Sequence, residues 1–400
     1  MDILTIAPTY SPSSARSQDR YLTGLARALA GAGHEILVLT ASDEGAFHGR
    51  LPPGVRVLTP SESWPLFHYE QSTDTILDNV RLVGEALELA AETTFDLLWC
   101  HTWQGALAAD LMRNRLWIPL ALYLHGTQAG RDTGEEGSVR RYVCEMEEWA
   151  CGRSDALVCP SESAVHDVCT SYGISQDHLH VVPVSPDFRQ FEPAGTDLDD
   201  FRALLASPDE PILLYAGALE ETNAPHTLLE ALPSVLAERP NVRLVFAGRG
   251  PASEALMKRA EASGVADRCL FAGEVSERVL GAFYRTCDLL VAPASFAPSG
   301  RSVQEAMGLG LPPVVSDVGA HRVLVSDGIT GLRVRPGNPD AWAGNLVWAL
   351  ENPERLAEMG KEAEEFARDL PSPECTAARF AEVAGHLAAD AGRGAAERSR

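Results

Sequence analysis

Short apolar runs alternate with helical patterns along nearly the whole chain, and this alternation constrains the fold more than any other feature. Ile3 to Ala7 reads as a strand, and Leu22, Leu25, Ala26 and Leu29 then fall at helical spacing. Gly31 and Gly33 close that helix before a second strand, Glu35 to Thr40. Val55 to Leu58, Leu97 to Cys100, Leu120 to Leu124 and Ala156 to Cys159 supply further strands, and 73–93 is a long amphipathic helix. Strands that alternate with helices predict parallel sheets covered on both faces.

The pattern restarts after a loop rich in Pro, Asp and Gly at 183–199. Strands are expected at 212–216, 243–247, 269–272, 289–292 and 313–316, with helices over 341–350 and 353–370. The chain is therefore read as two doubly wound α/β domains, 1–185 and 186–373, followed by a helix at about 374–391. Its 400 residues suit two domains of about 200 each. Ligands of such sheets bind outside the carboxyl ends of the strands.

Charge narrows the function classes. Acidic residues outnumber basic ones by 56 to 33, for a net charge of −23. That field repels a phosphate backbone, so no nucleic-acid partner is expected. Broad adhesion to anionic lipid is disfavoured as well. The mixed basic and apolar run Met112 to Trp117 still allows peripheral membrane contact, a solvated helix end being the plainer reading. No apolar run is long enough to span a bilayer, and the N-terminus reads as a strand, not a signal peptide. The eight cysteines form no C-x-x-C pair, so a zinc ribbon is not expected. Several sit inside apolar runs, which fits small core residues in a reducing cytoplasm. The two lysines, Lys258 and Lys361, lie in helical charged stretches and not at strand ends, which argues against a pyridoxal phosphate Schiff base.

Three stretches can carry chemistry. The loop 8–17 enters a helix N-terminus and bears Ser11, Ser13, Ser14, Ser17 and Arg16, suited to an anion or simply to helix capping. His101 and His125 each follow a strand of the first sheet. His125, beside Gly126 and Thr127, is the candidate catalytic residue and His101 an acceptor-side group, although satisfied polar histidines would look the same. In the second half a loop ending Gly300-Arg301-Ser302-Val303 opens a helix carrying Glu305. Gly300 permits close backbone approach, the helix start can take phosphate oxygens, and Glu305 could accept ribose hydroxyls. The alternative for Glu305 is a first-turn glutamate favoured by the helix dipole. Gly248-Arg249-Gly250 after a strand indicates little beyond a tight turn.

These residues resemble the family-4 glycosyltransferases, retaining enzymes of GT-B fold. The likeness rests on Leu25 to Thr40, Ser154 to Ser163, Ala216-Gly217, Ala247 to Pro251, Cys287 to Val291, Glu305 to Pro312 and Asp317 to Leu332, in the family's order. It implies two Rossmann-like domains facing across a cleft, with a nucleotide-sugar donor on the C-terminal side. It also implies an acceptor of unknown kind (saccharide, lipid or small molecule) on the N-terminal side. The final helix would cross back to the first domain, and no metal or organic cofactor is implied. Gly217, Gly300, Arg301, Ser302, Val303 and Glu305, with Arg16, become donor-binding candidates.

The chain departs from the family at definite positions. Ala297 stands where the donor motif has its first glutamate, Ala218 and Asn223 where an arginine and a lysine clamp the diphosphate, Arg16-Ser17 for Gly-Gly, and Val184-Ser185 for Asn-Gly. The first reading is an active transferase in which Arg16 and Arg301 replace the missing cations. The second is a non-catalytic partner of a related glycosyltransferase, and a nucleotide-sugar epimerase is a third.

Overall fold

The computed structural model describes residues 1–8, 10, 17–41, 53–59, 71–131, 138–192 and 195–398. The first domain runs β1 (Asp2–Ile6), α1 (Ser17–Gly31), β2 (Glu35–Leu39), β3 (Val55–Leu58), α2 (Gln71–Glu92), β4 (Leu97–His101) and α3 (Ala106–Leu116). It continues through β5 (Leu120–Tyr123), α4 (Ser138–Arg153), β6 (Ala156–Cys159), α5 (Glu162–Tyr172) and β7 (Leu179–Val181). The second has α6 (Leu198–Leu205), β8 (Ile212–Ala216), α7 (His226–Glu238), β9 (Arg243–Ala247), α8 (Ser253–Ala262), β10 (Cys269–Gly273) and α9 (Glu277–Thr286). Then come β11 (Leu289–Ala292), α10 (Arg301–Gly308), β12 (Pro313–Ser316), α11 (His321–Leu324), β13 (Leu332–Val334), α12 (Pro339–Glu351), α13 (Pro353–Arg368) and α14 (Pro373–Arg398).

The sheets are parallel and ordered β3-β2-β1-β4-β5-β6-β7 and β10-β9-β8-β11-β12-β13. The architecture is therefore the doubly wound pair expected from the strand-helix alternation. Central strands are buried along their whole length because helices cover both faces, which is why they read as unbroken apolar runs. Strand order reverses between β1 and β4 in one sheet and between β8 and β11 in the other, and a crevice opens at such a point. The residues just beyond β4, β8 and β11 are thus placed by topology at the ligand edge.

Several elements escaped the sequence, α5 and α11 among them. β7 and β13 are three residues long, too short to show a period. α6 lies partly inside the expected loop, and its start is set by Asp197, whose carboxylate accepts from the backbone N–H groups of Asp199 and Asp200.

α14 packs on α1, and Ala377, Phe380 and Ala384 are each 1% exposed within the first domain's core. Phe380 meets Trp99 of β4 with ring centroids 4.6 Å apart. The Gly248–Gly250 turn serves close packing. A Cβ on Gly248 would lie 1.9 Å from the Gly217 carbonyl oxygen, and one on Gly250 2.2 Å from that of Leu219. The loops after β8 and β9 therefore touch backbone to backbone. All eight cysteines are free thiols. Among the described residues, no helix is long and apolar enough to cross a membrane.

Candidate active site

The carboxyl edges of the two sheets meet through several contacts, three of which bear on the site. Ser161 Oγ, before α5, donates to the Pro298 carbonyl at 2.7 Å. Phe296, in the loop after β11, lies against Gly126, where a Cβ would approach its ring to 2.7 Å. Gly126 is held at φ +151°, so the position wants glycine on both counts. The third contact is buried. Arg20, in the second turn of α1, pairs with Glu305 of α10.

Glu305 is surrounded. Arg301 Nε donates to its Oε1 at 2.7 Å, and Tyr284 Oη donates to its Oε2 at 2.9 Å. Arg20, Arg301 and Glu305 are 8%, 6% and 1% exposed. Burial pushes the Glu305 carboxyl up, but Arg20 and Arg301 outweigh it and hold the group ionised, below its usual range. Burial and then the Arg20 charge lower the Arg301 guanidinium. Glu305 is shared between the two cations, and the Glu277 charge also acts on both arginines. Glu305, expected to offer a free carboxylate to a ribose, here spends both oxygens on protein donors.

Gly300 starts α10 at φ +60°, and a Cβ there would lie 2.5 Å from Leu324. That left-handed turn aims the first backbone N–H groups of α10 out of the helix. Ser302 is half-buried beside it, whereas the Val303 side chain is 0% exposed, so Val303 can offer a ligand only its backbone. Gly217 is exposed at the end of β8. Arg16 lies outside the described residues.

On the opposite side, His101 and His125 share a hydrogen bond between their Nε2 atoms, 2.9 Å apart. One Nε2 must carry a proton and the other must not, so the two rings hold different tautomers. Tyr21 and Tyr123 lie against both rings. Burial pushes His101 down to about 3. Burial, then His101, Arg131 and Arg301, holds His125 well below its ordinary value. A histidine kept neutral this firmly is a weak base, and its fit is to hydrogen-bond a hydroxyl.

A cavity of about 220 Å³ opens beside His125, lined by Gln18, Gln104, Gln128, Arg131, Arg140 and Glu147 among others. Thr102 also borders it and holds φ +87°, an unusual conformation for a β-branched residue and a mark of a constrained site. Neither Thr102 nor this arginine pair carried a signal in the sequence, because both depend on how α4 and the segment after β4 converge. Glu147 is occupied by the Gln128 backbone N–H and the Tyr172 hydroxyl.

The buried histidines make stability pH-dependent. His101, His125 and His321, the last pushed down to about 4 by burial, are neutral in the fold. In the unfolded chain they take up protons below about pH 6.5. Between pH 6.5 and 4 the unfolded state binds more protons, so stability is lost as pH falls. The thermal midpoint should decline steadily from pH 7 to 4.5, each histidine contributing roughly 1 kcal/mol per pH unit below 6. A flat profile by calorimetry would mean that these rings are protonated in the fold.

A model of the Glycosyltransferase Family 4 domain matches residues 18–186, and one of the Glycosyl transferases group 1 domain matches 197–366. The chain belongs to glycosyltransferase family 4, group 1. It is 30% identical over 382 residues to a D-inositol 3-phosphate glycosyltransferase of Xylanimonas cellulosilytica, covering 90% of this chain and 89% of the relative. The glycogen synthase of Mycobacterium tuberculosis is 26% identical over 367 residues, 88% of this chain and 87% of that one. Among solved structures, sucrose-phosphate synthase from Thermosynechococcus elongatus superposes with a TM-score of 0.84 at 20% identity, over 98% of this chain and 100% of that one. The fold is GT-B, as the resemblance implied.

Within this glycosyltransferase two of the departing positions, Ala297 and Asn223, are engaged in loop hydrogen bonds. Ala297 is 5% exposed, and its carbonyl accepts the Ala320 N–H at 2.7 Å. Gly319 closes on the same carbonyl, which a Cβ would approach to 2.2 Å. Asn223 Nδ2 donates to the Ala218 carbonyl at 3.0 Å, and Tyr215 Oη donates to it at 2.6 Å. Asn223 therefore closes its own loop and brings no charge to the cleft.

Proposed function

We propose that this transferase moves a sugar from a nucleoside-diphosphate sugar, with retention at the anomeric carbon, to an acceptor held in the cavity beside His125. The observation that carries the reading is the meeting of the two switch points. It sets the start of α10 opposite that cavity. An anionic leaving group is stabilised by N–H groups at a helix start. HepE from Anabaena, solved with UDP and glucose, superposes with a TM-score of 0.78 at 20% identity over 96% of this chain and 99% of that one, which supports a nucleotide-linked donor.

Each missing clamp cation removes a charged hydrogen bond worth about 1.5–3 kcal/mol, so donor binding should be weak. Incubation with UDP-, GDP- and ADP-sugars, followed for released nucleoside diphosphate, tests the reading. Slow release with at least one donor supports it. Nucleotide binding with no release from any donor, with or without acceptor, would favour the non-catalytic partner, the reading to which Ala297, Ala218 and Asn223 point.

The acceptor side has its own test. The cavity is polar, and Arg131 is its natural contact for an oxygen-rich acceptor. D-inositol 3-phosphate is the first compound to try, given the name of the Xylanimonas relative. Arg131→Ala should raise the acceptor KM about tenfold, the loss of about 1.4 kcal/mol, while kcat changes little. An unchanged KM would place the acceptor elsewhere.

A further inference from the structure

We infer that Arg20 is a latch: its guanidinium occupies the ribose subsite of the donor cleft, and the nucleotide must displace it to reach Glu305. The inference rests on the reading of Glu305 as the ribose-side carboxylate.

Arg20 belongs to the first domain, yet its side chain ends inside the second. Its guanidinium lies over Phe191, 5.7 Å from the ring centroid, and reaches Glu305 Oε1. Phe191 and Tyr284 wall the site with rings at 86°. A ribose diol needs open acceptor sites on the carboxylate, and Arg20 fills the one on Oε1 beside Arg301, while Tyr284 takes a single site on Oε2. The backbone of α1 is held by α14 behind it. The guanidinium therefore leaves by changing rotamer or by separation of the domains, which also breaks the Ser161–Pro298 bond.

A purely structural ion pair predicts the opposite response to substitution. Removing Arg20 from a structural pair loosens the cleft and weakens binding. Removing it from a latch frees a subsite, because the apparent affinity no longer carries the cost of the closed state. Charge balance makes the substitution tolerable. The cluster holds two arginines and one glutamate, so Arg20→Gln leaves Arg301 and Glu305 as a neutral pair at 2.7 Å.

The test is calorimetric titration of the full chain and of Arg20→Gln with UDP, GDP and ADP and with the corresponding nucleosides. The latch predicts that Arg20→Gln binds the cognate nucleotide at least about tenfold more tightly. The nucleoside should gain by a similar factor, since the freed contact is at the ribose, and Arg20→Lys should fall between. Equal or weaker nucleotide binding by Arg20→Gln overturns the latch and leaves the donor reading standing. No binding of any nucleotide by either protein overturns both. Should Arg20→Gln fail to fold by circular dichroism, Arg20→Lys decides: tighter than wild type supports the latch, equal or weaker overturns it.

Discussion

Replacing Glu305 by alanine is expected to destabilise the protein by about 3–5 kcal/mol, because it strands two buried arginines without their shared anion. Arg20 and Arg301 lie together in a site less than a tenth exposed. With the carboxylate present, the Coulomb attraction and its three hydrogen bonds offset desolvation. Without it, like charges face each other in a low-dielectric pocket. For domains of this size the loss corresponds to a drop on the order of 10 °C in the thermal midpoint. Glu305→Gln, which keeps an acceptor oxygen, should lose less. A double-mutant cycle with Arg20→Gln should show strong coupling, since the second substitution removes one stranded cation. A midpoint within a degree or two of wild type for Glu305→Ala would mean that the arginines already reach solvent.

The second large effect concerns the helix that ties the domains together. Phe380→Ala should cost about 3–5 kcal/mol, the range for emptying a buried aromatic site. The consequence is local as well as global. Phe380 anchors α14 against Trp99, itself 0% exposed, and α14 is also bound through Thr376 and Ser185, whose hydroxyl oxygens are 2.6 Å apart. Losing the anchor should let α14 detach while both sheets persist. Cleavage in the Pro371–Pro373 segment during limited proteolysis should accelerate, and hydrogen exchange along α1 should rise. Unchanged protection of α1 would show that α14 is not what holds it.

How much of this was legible in the chain can be judged residue by residue. The parallel sheets were, since runs such as Leu97 to Cys100 and Ile212 to Ala216 carry the signature of strands buried on both faces. So was the placement of His125 and Gly300, which follow a strand or open a helix at a position that topology turns toward the cleft, whereas His101 is the buried last residue of β4. What the sequence withheld is partnership. Glu305 looked like a free ribose acceptor because nothing in its neighbourhood advertised Arg20, 285 residues away. Asn223 looked like a lost cation, yet its amide closes the Ala218 loop. His125 stands out as the candidate catalytic residue, yet burial and then His101 hold it neutral. Pattern reveals which residues stand at the ligand edge, whereas their ionisation and partners depend on long-range packing.

A nucleoside diphosphate is expected to bind across the start of α10 and the loop after β8. Hydrogen–deuterium exchange with saturating UDP, GDP or ADP reads this directly. One of the three should slow exchange at 217–219 and 300–305, with smaller changes in the first domain. No slowing with any nucleotide at millimolar concentration, or slowing confined to residues 1–185, would contradict it.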